Sequence, residues 1–166
     1  MIVAGKGDET MAFDTPNGTR GARQPGRSRI EQWANRMMVD RVRRKGSFDA
    51  AKSIVLVSIG SRTGAERRNP VAWFPAGDDT GLVVASASGA ARNPSWYYNL
   101  AAHPDLAHIE VGGERIAVTA AQLHGAERED AWRSITTRSP GFARYESITD
   151  RVMPVIRLTR RRDAER

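Results

Sequence analysis

The sequence of 166 residues contains no cysteine. Disulfides, thiolate metal sites, iron–sulfur clusters and cysteine nucleophiles are therefore all excluded. The three histidines, His103, His108 and His124, lack metal-ligand spacing, because no two stand four residues apart and no carboxylate cluster accompanies them. No G-x-S-x-G pattern marks a hydrolase nucleophile either. We therefore expect no metal site, and hydrolysis is disfavoured.

Long apolar runs are also missing, and no stretch of 18 apolar residues predicts a membrane-spanning helix. No leader of the secretory type opens the chain, so we expect a cytoplasmic protein. With 40% hydrophobic and 27% charged residues, a chain of this length is expected to fold around a single core.

The whole chain has a net charge of +7, and acidic residues are scarce in two segments that flank its central part. Nine basic and two acidic residues lie between positions 20 and 45, and five basic and two acidic residues lie between 157 and 166. Positions 46–156, by contrast, hold 11 basic and 12 acidic residues. Because this central part is nearly neutral, we expect no broad phosphate-binding face and no nucleic-acid partner. The basic flanks instead indicate an anionic surface nearby.

Composition divides the chain into an arm, one domain and a tail. Residues 1–27 lack hydrophobic periodicity and predict a flexible arm that is dispensable for folding. The domain is predicted over 28–160, with a basic tail over 161–166. It opens with an amphipathic basic helix over 28–45, because apolar residues recur there at helical spacing. These are Ile30, Trp33, Ala34, Met37, Met38 and Val42. The apolar face either docks on the domain, which we favour, or lies on an anionic membrane.

The remaining pattern alternates between strands and helices. Predicted strands are Ser53–Ile59, Val71–Phe74, Leu82–Ala85, Ala107–Val111, Arg115–Ala121 and Val152–Leu158. One predicted helix begins at the capping pair Asn93-Pro94 and ends before Pro104. Two more are predicted over His124–Thr137 and Pro140–Ile148. This order predicts an α+β fold, a small, mostly antiparallel barrel with helices at its rim.

Two loops have compositions that suit a ligand. The first, Gly60–Arg68, combines two glycines with three arginines and suits an anion, although an ordinary polar hairpin turn explains it equally. It has neither a P-loop lysine nor a G-x-G-x-x-G pattern, so Walker-type and Rossmann-type nucleotide sites are poorly supported. The second, Ala85–Ala91, consists of small residues ahead of a helix. It either leaves room for a flat ring or makes a tight strand-to-helix connection.

Four blocks in this order resemble the actinobacterial deazaflavin-dependent nitroreductase family. They are GSRTGAERRNP at 60–70, SASGAARNPSWYYNLAAHPD at 86–105, GAERE at 125–129 with Trp132, and SPGFARYESITDRVMPVIRLT at 139–159. The likeness covers roughly residues 30–160, and the ordered set is more specific than any single block. It implies a split β-barrel of the FMN-binding type and coenzyme F420, a deazaflavin whose phosphate and oligoglutamate tail are strongly anionic.

The resemblance also implies which residues bind this cofactor. Arg62 and Arg67 match basic positions that hold the tail, with Thr63 and Gly64 shaping the turn. The ring is expected over the second loop near Trp96, in contact with Ser86, Ala87, Ser88, Gly89 and Ala90. The sequence departs from the family at Ser61 and Ala87, where arginine and lysine are common. Arg68 and Arg92 are expected to compensate for these missing charges.

The activity implied is that of an oxidoreductase transferring a hydride from reduced F420 to an electron-poor acceptor: a quinone, an activated alkene or a nitro compound. Ser86 and Tyr145 are the candidates for hydrogen bonding to the acceptor, while Phe142 stands where an aromatic hydroxyl is common. The alternatives are an FMN-dependent split-barrel enzyme and a deazaflavin carrier without turnover. A membrane or nucleic-acid adaptor built on the basic flanks is a third. The sequence makes no prediction of oligomeric state.

Overall fold

The computed structural model describes residues 12–162. Four α-helices and seven β-strands follow one another along these residues. They are α1 (Arg29–Val42), β1 (Ser53–Ile59), β2 (Glu66–Ala72), β3 (Phe74–Pro75), β4 (Thr80–Val84), α2 (Ser95–Ala102), β5 (Ala107–Val111), β6 (Glu114–Gln122), α3 (Gly125–Arg138), α4 (Gly141–Ile148) and β7 (Val155–Arg160). The α+β class and the antiparallel barrel are thereby confirmed.

All seven strands belong to one antiparallel sheet in the order β2-β1-β5-β6-β7-β4-β3. The two edge strands, β2 and β3, are separated in the chain by Trp73 alone. That side chain is 2% exposed, and its indole N–H donates to the carbonyl of Phe48 at 2.8 Å. The chain therefore passes from one edge of the curled sheet to the other through one buried residue.

The main core lies on the inner face of the curled sheet. Ile54 and Leu56 of β1 pack there with Leu158 of β7, and α2 covers them with Tyr97 and Leu100. All five side chains are at most 1% exposed. Helix α2 is thus anchored by burial, which matters because both predicted loops connect to it.

The first edge strand is longer than its sequence predicts. The predicted strand began at Val71, whereas β2 begins at Glu66 and pairs along its whole length with β1. Its charged side chains and Pro70 hide the strand from sequence analysis. The alternation of apolar and polar residues is lost, and proline normally interrupts a ladder of hydrogen bonds. An edge strand tolerates both, since one of its sides has no neighbouring strand. The prediction of a loop running to Arg68 was therefore wrong, and the turn ends at Ala65.

Helix α1 forms where predicted but packs through a different face. Ser28 caps it, accepting from the N–H of Glu31 while the Glu31 carboxylate accepts from the N–H of Ser28. Among its apolar side chains, only Val39 and Val42 pack on the sheet, against outward-facing valines of β1. Beside these valines the outer face carries the ion-paired Arg68, Glu110 and Arg115, so this part of the sheet offers α1 no further apolar area. In the described part of the chain, no helix is both long and apolar enough to cross a membrane.

The predicted apolar face of α1 is consequently open to solvent. The exposed fractions are 78% for Ile30, 63% for Trp33, 57% for Met37 and 49% for Met38. The expectation that these side chains dock on the domain was wrong. Contact of this face with a membrane surface stays a prediction.

Part of the predicted arm runs along the domain. We call residues 12–22 the N-terminal strap. The N–H of Gly18 donates to the Ala91 carbonyl at 2.7 Å, and that of Ala22 donates to the Gly89 carbonyl at 2.9 Å. Folded contacts thus begin before residue 28, although the flexibility of the arm stays a prediction. Residues 1–11, and 163–166 of the predicted tail, lie outside the described residues.

Candidate functional site

The first candidate loop is the tight turn between β1 and β2. The N–H of Gly60 donates to the Ala65 carbonyl at 2.7 Å, and Gly64, with φ +69°, adopts the left-handed backbone that closes the turn. The Thr63 hydroxyl accepts from the Ala65 N–H at 3.2 Å. Thr63 and Gly64 therefore shape this turn, which leaves its other side chains directed to solvent.

The three arginines of this region do not act as one group. Because alternate residues of a strand face opposite sides, Arg67 and Arg68 project to opposite faces of β2. Arg68 faces outwards, where it bonds the carboxylates of Glu66 at 3.1 Å and Glu110 at 3.2 Å. Arg115 also bonds Glu66 and holds the pKa of that carboxyl below its usual value. Arg68 is thus neutralised within a surface ion-pair network.

Arg62 and Arg67 differ from Arg68 in this respect. Both are exposed, and neither guanidinium makes an ion pair or hydrogen bond with any residue from 12 to 162. Arg67 lies opposite Ser58 in the β1–β2 ladder, on the face of the strand that includes Val71 and the main core. Two of the three predicted arginines therefore present uncompensated positive charge next to the turn.

The second candidate loop has an unusual backbone. After Ser86 in the right-handed helical region, Ala87 (φ 46°), Ser88 (φ 54°) and Gly89 (φ 80°) are all left-handed. Left-handed alanine and serine are uncommon, and such strain persists only where the surroundings hold it. A right-handed residue followed by a left-handed one turns successive N–H groups towards one concavity, which can bind an anion or a carbonyl oxygen. No described residue accepts from the N–H groups of Ser86, Ala87 or Ser88.

A buried arginine holds this loop in place. The guanidinium of Arg151 donates to the carbonyls of Ala85 at 2.8 Å, Ser86 at 2.6 Å and Ala90 at 3.0 Å. It also donates to Asn93 Oδ1 at 2.8 Å. Arg151 is 3% exposed, and burial lowers the pKa of its guanidinium.

Sequence reasoning missed Arg151 and misassigned Asn93. The only signal for Arg151 was a single charge heading the apolar run VMPVI. Asn93 was predicted to cap α2, but the helix starts at Ser95 and Pro94 occupies the cap position. The amide of Asn93 instead joins Arg151 to the strap, donating to the Thr15 carbonyl at 2.9 Å.

The strap and α4 pack the loop from two sides. A Cβ on Gly21 would lie 2.5 Å from both the Gly89 carbonyl oxygen and the Ala91 nitrogen, so only glycine fits there. A Cβ on Gly89 would lie 3.2 Å from the carbonyl oxygen of Tyr145 in α4. The backbone of α4 therefore rests on the loop.

Tyr145 and Trp96 occupy different environments beside this loop. Tyr145 is half-buried, and its ring packs edge-on against Phe142 at a centroid distance of 5.7 Å. Its hydroxyl has no hydrogen-bond partner among the described residues. Trp96 is 6% exposed and belongs to the main core. Tyr145 can thus offer its hydroxyl to a ligand, whereas Trp96 chiefly supports α2.

Helix α2 links the two loops. The Asn99 amide donates to the Ser58 hydroxyl at 3.2 Å, and its oxygen accepts from the N–H of Ser61 in the first turn at 3.0 Å. The second loop leads into the start of α2 at Ser95. Four helical residues rise about 6 Å, so the two loops meet the same short helix about one turn apart. Helix α2 thus joins the turn beside Arg62 and Arg67 to the loop whose N–H groups have no acceptor among the described residues, an arrangement that suits a cofactor with an anionic tail and a flat polar ring.

A cavity of about 310 Å³ lies elsewhere, between the strap, the end of β6 and the start of α3. Its lining includes Thr15, Gln122, His124 and Arg128 but none of the predicted site residues. The predicted site residues therefore lie outside this cavity.

The chain is similar to known F420-dependent enzymes over most of its length. The profile of the F420H(2)-dependent quinone reductase family matches residues 27–160. An F420H(2)-dependent quinone reductase of Mycobacterium tuberculosis is 36% identical over 115 residues, which cover 68% of this chain and 76% of that protein.

Two solved structures are also similar. An F420-H2 dependent reductase, FDR-A, has 30% sequence identity and a TM-score of 0.58, over 64% of this chain and 93% of that one. A structure described as a domain-swapped dimer has 26% identity and a TM-score of 0.58, over 78% of this chain and 96% of that one. The chain therefore belongs to the F420H(2)-dependent quinone reductase family, which confirms the F420-dependent reductase and the cofactor that its resemblance predicted.

Proposed function

We propose that the protein reduces a quinone with reduced F420, and that the cofactor lies across the two loops joined by α2. The observation that carries this proposal is that the two loops, which both adjoin α2, differ in charge and in shape. The first turn and the start of β2 offer guanidinium groups that no described residue neutralises, and the second loop offers open N–H groups on a backbone free of large side chains. An anionic tail and a flat ring need these two environments.

The proposed roles differ from the sequence prediction at Arg68 and at Trp96, which belongs to the main core. Arg62 and Arg67 bind the phosphate and glutamate tail, while the loop from Ser86 to Ala90 supports the ring. Arg68 is left out, because its guanidinium is already bonded to two carboxylates. Arg92, which is exposed beside the second loop, stays as the third basic residue.

The bound cofactor supplies the hydride, and the chain's own residues orient the acceptor. Tyr145 is placed for this role by α4, which packs on the loop that carries Ser86. The two hydroxyls would hydrogen-bond the acceptor oxygen, where negative charge develops as the hydride arrives. The phenol of Tyr145 can also donate the proton that completes the reduction.

A titration separates this proposal from its alternatives. The full chain is titrated with F420 and, separately, with FMN, and binding is followed by fluorescence. Reduced F420 is then mixed with menadione, and the recovery of the oxidised absorbance is recorded. We expect tight binding of F420 alone and steady turnover. Preference for FMN would identify the flavin enzyme, whereas F420 binding without turnover across a panel of quinones would identify a carrier.

We also propose that α1 lies on an anionic membrane surface. Four large apolar side chains form one exposed stripe, Ile30, Trp33, Met37 and Met38. Basic residues, including Arg29, Arg36 and Arg44, flank this stripe. Such a helix binds in the plane of the lipid headgroups, where apolar burial and attraction to anionic lipid add together. Quinones dissolved in the bilayer would then be close to the site.

Trp33 makes this contact directly measurable. The other three tryptophans, Trp73, Trp96 and Trp132, are at most 8% exposed, so a change in fluorescence on membrane binding reports Trp33. We expect a blue shift with vesicles containing phosphatidylglycerol, a smaller one with neutral vesicles, and none after Ile30→Ser with Met37→Ser, a variant that keeps Trp33 as the reporter. An unshifted spectrum with anionic vesicles at low salt would contradict the proposal.

A further inference from the structure

The arginine behind the second loop has no carboxylate to neutralise it. All four acceptors of Arg151 are carbonyl or amide oxygens, and no described carboxylate forms an ion pair with its guanidinium. Burying a charge without a counterion is costly, and here only hydrogen bonds to uncharged oxygens offset that cost. The guanidinium of Arg151 is thus committed to holding the backbone of the second loop.

Two of its acceptors belong to the peptide units that matter for binding. The Ala85 carbonyl shares a peptide unit with the N–H of Ser86, and the Ser86 carbonyl shares one with the N–H of Ala87. A charged donor on a carbonyl polarises the whole peptide unit and makes its N–H a stronger donor. Arg151 therefore acts on two of the three N–H groups that the described residues leave open.

We propose that Arg151 is a positioning residue for the deazaflavin ring, which holds and polarises the peptide units of Ser86 and Ala87 so that their N–H groups bind a ring oxygen. This inference rests on the proposed function and deepens it. The carbonyl oxygens of such a ring carry partial negative charge, which increases when the ring is reduced. Arg151 therefore favours the reduced cofactor over the oxidised one.

The test uses a probe that reaches only the ring subsite. A deazaflavin riboside without phosphate or glutamates cannot use the tail-binding arginines. We expect Arg151→Met to weaken riboside binding about tenfold or more, and F420 binding by a similar factor. Arg151→Lys keeps the charge but cannot span all the carbonyls, so it should recover part of the loss.

Arg128→Met is the matched control. The guanidinium of Arg128 also donates to a main-chain carbonyl, that of Met153 at 2.7 Å, and its side chain is 12% exposed. It makes no hydrogen bond to the second loop. We expect this variant to lose stability as a buried arginine would, while its riboside affinity stays unchanged.

A second variant keeps the test decisive where Arg151→Met does not fold. Asn93→Asp retains an oxygen beside the guanidinium and adds a charge that compensates it. We expect weaker riboside binding and shifted amide NMR signals for Ser86 and Ala87. Both variants should lose more affinity for reduced than for oxidised F420, whereas a merely structural role would weaken both forms equally.

The outcomes separate the two proposals. Folded Arg151 or Asn93 variants that bind riboside with wild-type affinity, or that lose affinity for both redox forms equally, overturn the role of Arg151. A wild-type protein that binds neither riboside nor F420 overturns the proposed function instead. Where riboside binds the wild type too weakly to measure, the same comparison is made with F420, and an unchanged affinity again counts against Arg151.

Discussion

The two candidate loops are held in opposite ways. The β1–β2 turn is exposed, closes through its own backbone, and is tied to the rest of the protein by Asn99. The loop after β4 is held from behind by Arg151, from one side by the strap and from another by α4. A long, flexible anionic tail needs charge more than shape, whereas a rigid ring needs donors at fixed positions. The difference in support therefore matches the difference in proposed ligand.

Removing the support of the second loop should have the largest effect. Gly21→Ala places a Cβ 2.5 Å from two backbone atoms, so the strap must move away from the loop. We expect the free energy of unfolding to fall by about 1–3 kcal/mol, and riboside binding to weaken. Urea denaturation and fluorescence titration measure both.

Gly141→Ala is the control for this change, because a Cβ there has no neighbour within 4 Å. It should leave both quantities unchanged or raise stability slightly. Equal behaviour of the two glycine variants would mean that the strap does not support the loop.

Charge reversal in the first loop should act on the tail alone. Arg62→Glu with Arg67→Glu replaces attraction by repulsion at two exposed sites, so we expect F420 affinity to fall about 10–100-fold. Riboside affinity should not change. High salt should reduce the difference in F420 affinity between the variant and the wild type. The same charge change at Arg133 and Arg138, on α3, is the control. A loss of riboside affinity in the first variant would show that the loops are not independent.

Tyr145→Phe should have a smaller effect, confined to the acceptor. Water can replace the phenol as proton donor, so we expect the rate of menadione reduction to fall by only about 2–10-fold, below the usual range of general acid catalysis. F420 affinity should stay the same, because the cofactor's ring rests on the loop rather than on this hydroxyl. An unchanged rate would remove Tyr145 from the reaction.

The strap should show the smallest effect, which appears only in acid. Hydrogen bonds from Thr19 and Arg20 hold the pKa of Asp150 at about 2, below its ordinary value of 3.8. The ionised carboxylate therefore stabilises the folded strap above about pH 4, and this contribution is lost as the pH falls towards 2. The protection of the Thr19 amide, which is its exchange rate relative to an unfolded peptide at the same pH, should fall over that window, and Asp150→Asn should abolish this dependence.

The sequence predicted most of the secondary structure because burial leaves periodic marks. The strands of the core are apolar runs, and Ser28 with Glu31 is a recognisable helix cap. It failed for β2, since an edge strand need not alternate. It also failed for the packing of α1, because the charges on the outer face of the sheet come from strands distant in sequence.

The candidate site was predictable only in part. Resemblance drew attention to the arginines of the first loop and to the small residues of the second. It did not distinguish Arg68 from Arg67, because their opposite directions follow from strand register. Arg151 was missed since its acceptors lie 58 to 66 positions away in the chain. Such long-range contacts are fixed by folding and leave no local pattern.

The single residue between β2 and β3 also determines how the barrel is closed. The two edge strands, β2 and β3, are not paired by a ladder of hydrogen bonds but are joined by the covalent chain. Trp73 fixes this junction through its buried indole, which donates to the Phe48 carbonyl. A circularly permuted protein with new ends at this point would keep every strand pair and lose only the covalent link. Its stability would therefore measure how far side-chain packing alone keeps the sheet curled.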